Sequence, residues 1–170
     1  MTTALRLLAV SLLVVLTITL QVSIFSSFSM QGVVPDLALL VVIAAALVRG
    51  PDYAAVVGFF AGLVLDLAPP ADHTAGRWAL AFVLVGYLTG LARNEGDISA
   101  IGTLVMVAAG AFIATSVFAF TGLVLGDRGI DVSSALRVVP LSVLYDVLVT
   151  PLVVPLVVLL FKRLEPAERW

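Results

Sequence analysis

The chain has 170 residues, of which 62% are hydrophobic and 12% charged, with a mean hydropathy of +1.20. Soluble domains are about half apolar and a quarter charged, so these values indicate an integral membrane protein. The net charge is −2, the charges are scattered singly and there is no cysteine, which excludes disulfides and thiolate chemistry and removes the basic footprint of a nucleic-acid binder.

A span needs roughly 20 apolar residues to cross about 30 Å of hydrocarbon. Charges and breakers divide the chain into six candidates: Leu7 to Phe28, Val33 to Val48, Tyr53 to Ala68, Trp78 to Ala92, Ile98 to Leu125 and Val138 to Phe161. The first begins like a secretory signal, but no A-x-A cleavage pattern follows, so an uncleaved span is expected. The second, third and fourth are short and need neighbours to bury their ends, or a re-entrant hairpin around "RGPD". The connections "RGPD", "PPADHTAG", "RNEGD" and "GDRGID" carry turn residues. The expectation is an all-α, polytopic bundle of six transmembrane helices forming a single domain over residues 1–170. With six spans, Arg6, Arg49, Arg93, Lys162, Arg163 and Arg169 collect on one side, against Arg77, Arg128 and Arg137 on the other. This places both termini in the cytoplasm.

Three glycine pairs sit four residues apart: Gly58 with Gly62, Gly86 with Gly90, and Gly122 with Gly126. Chance placement of 13 glycines yields about one such pair, and this spacing lets helices approach closely. All six are therefore helix-packing candidates, against the alternative that glycine simply faces lipid. Asp66 continues the stripe of Gly58 and Gly62, which turns it toward protein. It is read first as a structural anchor, paired with an outer-side arginine such as Arg77, and second as a contact for a partner or ligand. Asp36 follows Pro35 at a helix start, where an acid complements the helix dipole at the membrane interface.

Asp146 lies nine residues into the sixth candidate, among Pro140, Pro151 and Pro155. An acid at such depth costs about 2.5–3.5 kcal/mol on insertion scales and turns to the bundle interior. It either lines a polar cavity or bonds to a nearby hydroxyl or amide. His73 is read as a loop residue, and nothing resembles a catalytic triad, a phosphate loop or a zinc-binding motif. The expectation is a protein that is not an enzyme and that takes no metal and no cofactor.

The segments "VVPDLALLVVIAAALVRGPDYAAVVGFFAGLVLDL" and "WALAFVLVGYLTGLAR" resemble the MreD family of bacterial rod shape-determining membrane proteins. The matching elements are Pro35-Asp36, the Arg49-Gly50-Pro51 turn, "GFFAGLVLDL" and "GYLTGL", over roughly residues 33–93. The loop "APPADHTAG" departs from the shorter connection usual in the family. The resemblance implies a non-enzymatic scaffold of the cell-elongation machinery in the plasma membrane. Its implied partners are MreC, RodA, a class-B penicillin-binding protein and membrane lipid. It further implies a fold similar to the substrate-binding subunits of energy-coupling factor transporters, which supplies the alternative of a vitamin-type binding subunit. Asp36, Asp66, Arg77, Tyr87, Tyr145 and Asp146 are the candidates for a partner surface or pocket. Sparse polar side chains, two Trp and three Tyr favour the scaffold.

Overall fold

The computed structural model describes residues 3–23, 33–69, 73–93, 99–127 and 132–164. Among them it forms six helices: α1 (Thr3–Ser23), α2 (Leu37–Arg49), α3 (Pro51–Leu67), α4 (Arg77–Ala92), α5 (Ala100–Leu125) and α6 (Val132–Leu164). The helix ends lie within a few residues of the expected breaks, and the expected end of the first span at Phe28 and start of the fifth at Ile98 lie outside the described residues. The largest shift is at α6, which begins at Val132 and continues through all three of its prolines.

Six helices do not amount to six demonstrated crossings. Among the described residues, only α1, α5 and α6 are long and apolar enough to span a membrane by length and composition. The 13, 17 and 16 residues of α2, α3 and α4 extend about 20–25 Å at 1.5 Å per residue, short of the roughly 30 Å hydrocarbon core.

The shortest helix is the centre of the bundle. α2 packs against all five other helices, and every residue from Leu37 to Leu47 is buried. A helix that is apolar on every side belongs in such a position. Asp36 starts it, with its carboxylate accepting from the Leu39 amide at 3.1 Å, and the positive φ of Gly50 (86°) ends it and opens α3 directly, with Pro51 in the first turn.

α3 and α4 make the most extensive helix pair. Their glycines interlock. A Cβ on Gly58 would lie 2.4 Å from the Phe82 carbonyl oxygen, and one on Gly62 2.4 Å from the Ala79 Cα. In return, a Cβ on Gly86 would meet the Ala54 carbonyl oxygen at 2.7 Å and one on Gly90 the Pro51 Cα at 2.4 Å. The two pairs therefore face each other, backbone against backbone. The third pair differs: Gly122 is buried in α5, but Gly126 is the left-handed C-cap of that helix (φ 71°), and a Cβ there would meet nothing. Gly126 serves a turn, not a packing face.

Candidate functional site

The first polar cluster sits where α3 hands the chain to α4. The N-cap of α4 is Gly76, which has no side chain to accept from the first-turn amides, in a left-handed conformation (φ 101°). Asp66, one residue before the end of α3, supplies the missing cap from the neighbouring helix. Its Oδ2 accepts from the Gly76 and Ala79 amides at 2.8 and 3.1 Å, and its Oδ1 accepts from the Trp78 amide at 3.1 Å. His73 Nε2 lies 3.1 Å from the same Oδ1. The carboxylate is 1% exposed, held by the positive end of a helix and by hydrogen bonds.

Arg77 does not bond to it. The arginine reaches away to α5: Nη1 donates to Asp127, Nη2 to the Phe118 carbonyl, and Nε to Thr121 Oγ1 at 3.3 Å. Its guanidinium lies 3.8 Å above the Phe118 ring, which Trp78 stacks upon at 4.4 Å and His73 meets edge-on at 5.0 Å. Asp66 thus locks α3 to α4 while Arg77 locks α4 to α5. The anchor expected as an Asp66–Arg77 pair is two separate ties.

The second cluster is the N-terminus of α2, deep among the helices. Asp36 is 6% exposed, a correction to the interfacial position expected for it, and it lies beside Asp146 of α6. Asp146 Oδ1 accepts from the Asp36 amide at 2.6 Å, and Gln21 Oε1 of α1 accepts from the Ala38 amide at 3.1 Å. Three side chains from three parts of the chain thereby satisfy the first amides of a helix that starts inside the bundle. Asp146 is fully buried, and its Oδ2 has no hydrogen-bond partner among the described residues. Thr150 Oγ1 donates to the Asp146 carbonyl at 2.6 Å, one turn before Pro151.

At the opposite end of the bundle from Asp66, Arg93 Nη1 donates to the Leu47 and Val48 carbonyls at 3.3 and 2.9 Å, closing the C-terminus of α2. Arg49 lies over the Tyr53 ring at 4.5 Å, and Tyr53 meets Phe161 of α6 edge-on at 6.2 Å. Tyr87 is 43% exposed on α4 and Tyr145 is half-buried on α6, and neither joins a cluster by a hydrogen bond or ring contact among the described residues. Gln21, His73, Arg93 and Asp127 are participants that sequence reasoning missed. The spacing of seven between Asp66 and His73 carried no signal, because α3 ends at Leu67 and no helical period connects them.

Among the described residues no three His, Cys, Asp or Glu side chains gather as metal ligands. The carboxylates instead do structural work at helix ends in a medium that offers backbone amides no water. That use of polar side chains, with three long apolar helices, defines an all-helical integral membrane protein. The chain belongs to the MreD family: the family model for rod shape-determining protein MreD matches residues 1–164. It is accordingly a rod shape-determining membrane protein. Comparison with curated proteins and with solved structures gave no match.

Proposed function

We propose that the protein is a non-enzymatic scaffold of the cell-elongation complex, one transmembrane domain with both termini cytoplasmic, that binds the single-span protein MreC. Through MreC it is held beside RodA and a class-B penicillin-binding protein. The observation that carries the reading is an outward furrow between α5 and α6, at the Asp127 end of the bundle. It has a volume of about 320 Å³, and its lining combines the small Ser116, Ala119 and Ala135 with the large Phe112, Phe120 and Leu136. Small residues flanked by large ones suit the close approach of another apolar helix.

The alternative of a vitamin-type subunit has no comparable support. Such a subunit wants a cavity with convergent polar groups. Here Asp66, Arg77 and Asp36 are committed to helix ends and neighbouring chain. The test is Ala119→Trp in the full chain, which fills the furrow without touching either cluster. MreC should no longer co-purify from native membranes while the melting temperature stays at the wild-type value. Undiminished MreC would refute the docking furrow, and an ATPase pair in its place would favour the transporter.

A further inference from the structure

The α5/α6 seam opens a second furrow at the other end of the bundle, independent of the MreC reading. It encloses about 540 Å³, within the range of roughly 300–1,000 Å³ usual for ligand sites. Ala100 and Thr103 line it from α5, and Pro151, Pro155 and Lys162 from α6. The hydroxyls at the furrow are spent internally, Thr103 on the Ser99 carbonyl at 3.1 Å and Thr150 on the Asp146 carbonyl at 2.6 Å. The walls therefore present hydrocarbon, and among the described residues the one charged side chain lining the furrow is Lys162 at its mouth.

Length and charge specify the occupant together. From Pro151 to Lys162 the α6 wall runs about 17 Å at 1.5 Å per residue, close to half of the roughly 30 Å hydrocarbon thickness. The apolar part thus matches the length of one leaflet and ends at a cation. The start of α5 adds to the positive mouth. Ser99 Oγ accepts from the Gly102 amide at 2.9 Å, while the Ala100 and Ile101 amides, at the positive end of a 26-residue helix, have no acceptor within that helix. Ala100, Ile101, Lys162 and Arg163 are all exposed there.

We propose that this furrow is a binding site for an anionic phospholipid, with one acyl chain along the Pro151–Pro155 wall and the headgroup phosphate between the Lys162 ammonium and the first amides of α5. Basic pockets between transmembrane helices hold anionic headgroups in this manner. A zwitterionic headgroup brings its own cation to the same mouth and gains less from Lys162. A helix from another protein would have to bury Lys162 or bring an acid to it.

The experiment titrates the full chain in detergent with phosphatidylglycerol or phosphatidylcholine of identical acyl chains, read by native mass spectrometry. Phosphatidylglycerol should bind roughly fivefold tighter, the factor that one basic side chain contributes beside an anionic lipid. Lys162→Gln should erase the difference, chiefly by weakening phosphatidylglycerol, with a much smaller effect on phosphatidylcholine. Arg137→Gln, on the first part of α6, should preserve it, and Ala100→Phe should weaken both lipids by filling the furrow. Equal affinities in the wild type, or a preference that survives Lys162→Gln, overturn the proposal. So does full displacement of the lipid by inorganic phosphate, or efficient cross-linking of Ala100→Cys to another protein in native membranes.

Discussion

Asp66→Asn tests the cap that joins α3 to α4. The amide has one oxygen where the carboxylate has two, and each carboxylate oxygen serves two partners: Gly76 and Ala79 on one, Trp78 and His73 on the other. The least costly arrangement keeps the asparagine oxygen on Gly76 and Ala79 and turns its NH₂ toward His73, whose ring nitrogen then accepts. The Trp78 amide is left facing an NH₂ group, and an orphaned buried donor costs about 1–3 kcal/mol. The two retained bonds lose their charge assistance, worth about 1 kcal/mol each from the difference between charged and neutral bonds. The sum is about 3 kcal/mol at the low end, and at about 2–4 °C per kcal/mol for a chain of this size the melting temperature falls by about 6–12 °C. Asp66→Ala, which abandons all four partners, falls further. The assay is thermal unfolding in detergent, with MreC co-purification measured from the same membranes. An unchanged melting temperature in Asp66→Asn would refute the capping argument, and lost MreC alongside it would assign the carboxylate to a partner.

Two other predictions follow from the packing and the charge distribution. Leucine at both Gly58 and Gly62 forces side chains into the Phe82 carbonyl and the Ala79 backbone, so membrane levels of the folded protein should collapse; normal levels would show that α3 and α4 do not interlock as described. Because the chain lacks cysteine, Thr74→Cys at the Asp66 end should label with an impermeant maleimide in intact cells and Asp52→Cys at the Arg93 end should not, both positions being exposed. The reverse pattern would invert the topology.

The parts of this architecture legible in the sequence are those that depend on neighbours along the chain. The i, i+4 spacing of Gly58, Gly62 and Asp66 fixes a shared face in any helix, and the structure places all three against α4. Pro35-Asp36 and Arg49-Gly50-Pro51 mark the ends of α2 to within a residue or two for the same local reason. The central position of α2 was hidden, because in a membrane protein a helix facing lipid and a helix facing only protein are both apolar all round. The partner of Asp146 was hidden as well, since Asp36 lies 110 residues away and nothing periodic connects them. Arg77 illustrates a third failure: depth alone put it beside Asp66, whereas the direction of its side chain takes it to Asp127 and Phe118.

The enclosure of α2 also sets a condition on biosynthesis. Its first backbone amide group to be capped from afar, that of Asp36, waits for a carboxylate in the final helix, and α6 contributes heavily to the wall around it. Synthesis runs from the N-terminus, so α2 is made long before Asp146 has been translated. Until then the Asp36 amide lacks that acceptor, and an unsatisfied backbone group away from water costs several kcal/mol. A chain halted after α5 lacks that acceptor, so the closing of the α2 start depends on the arrival of α6.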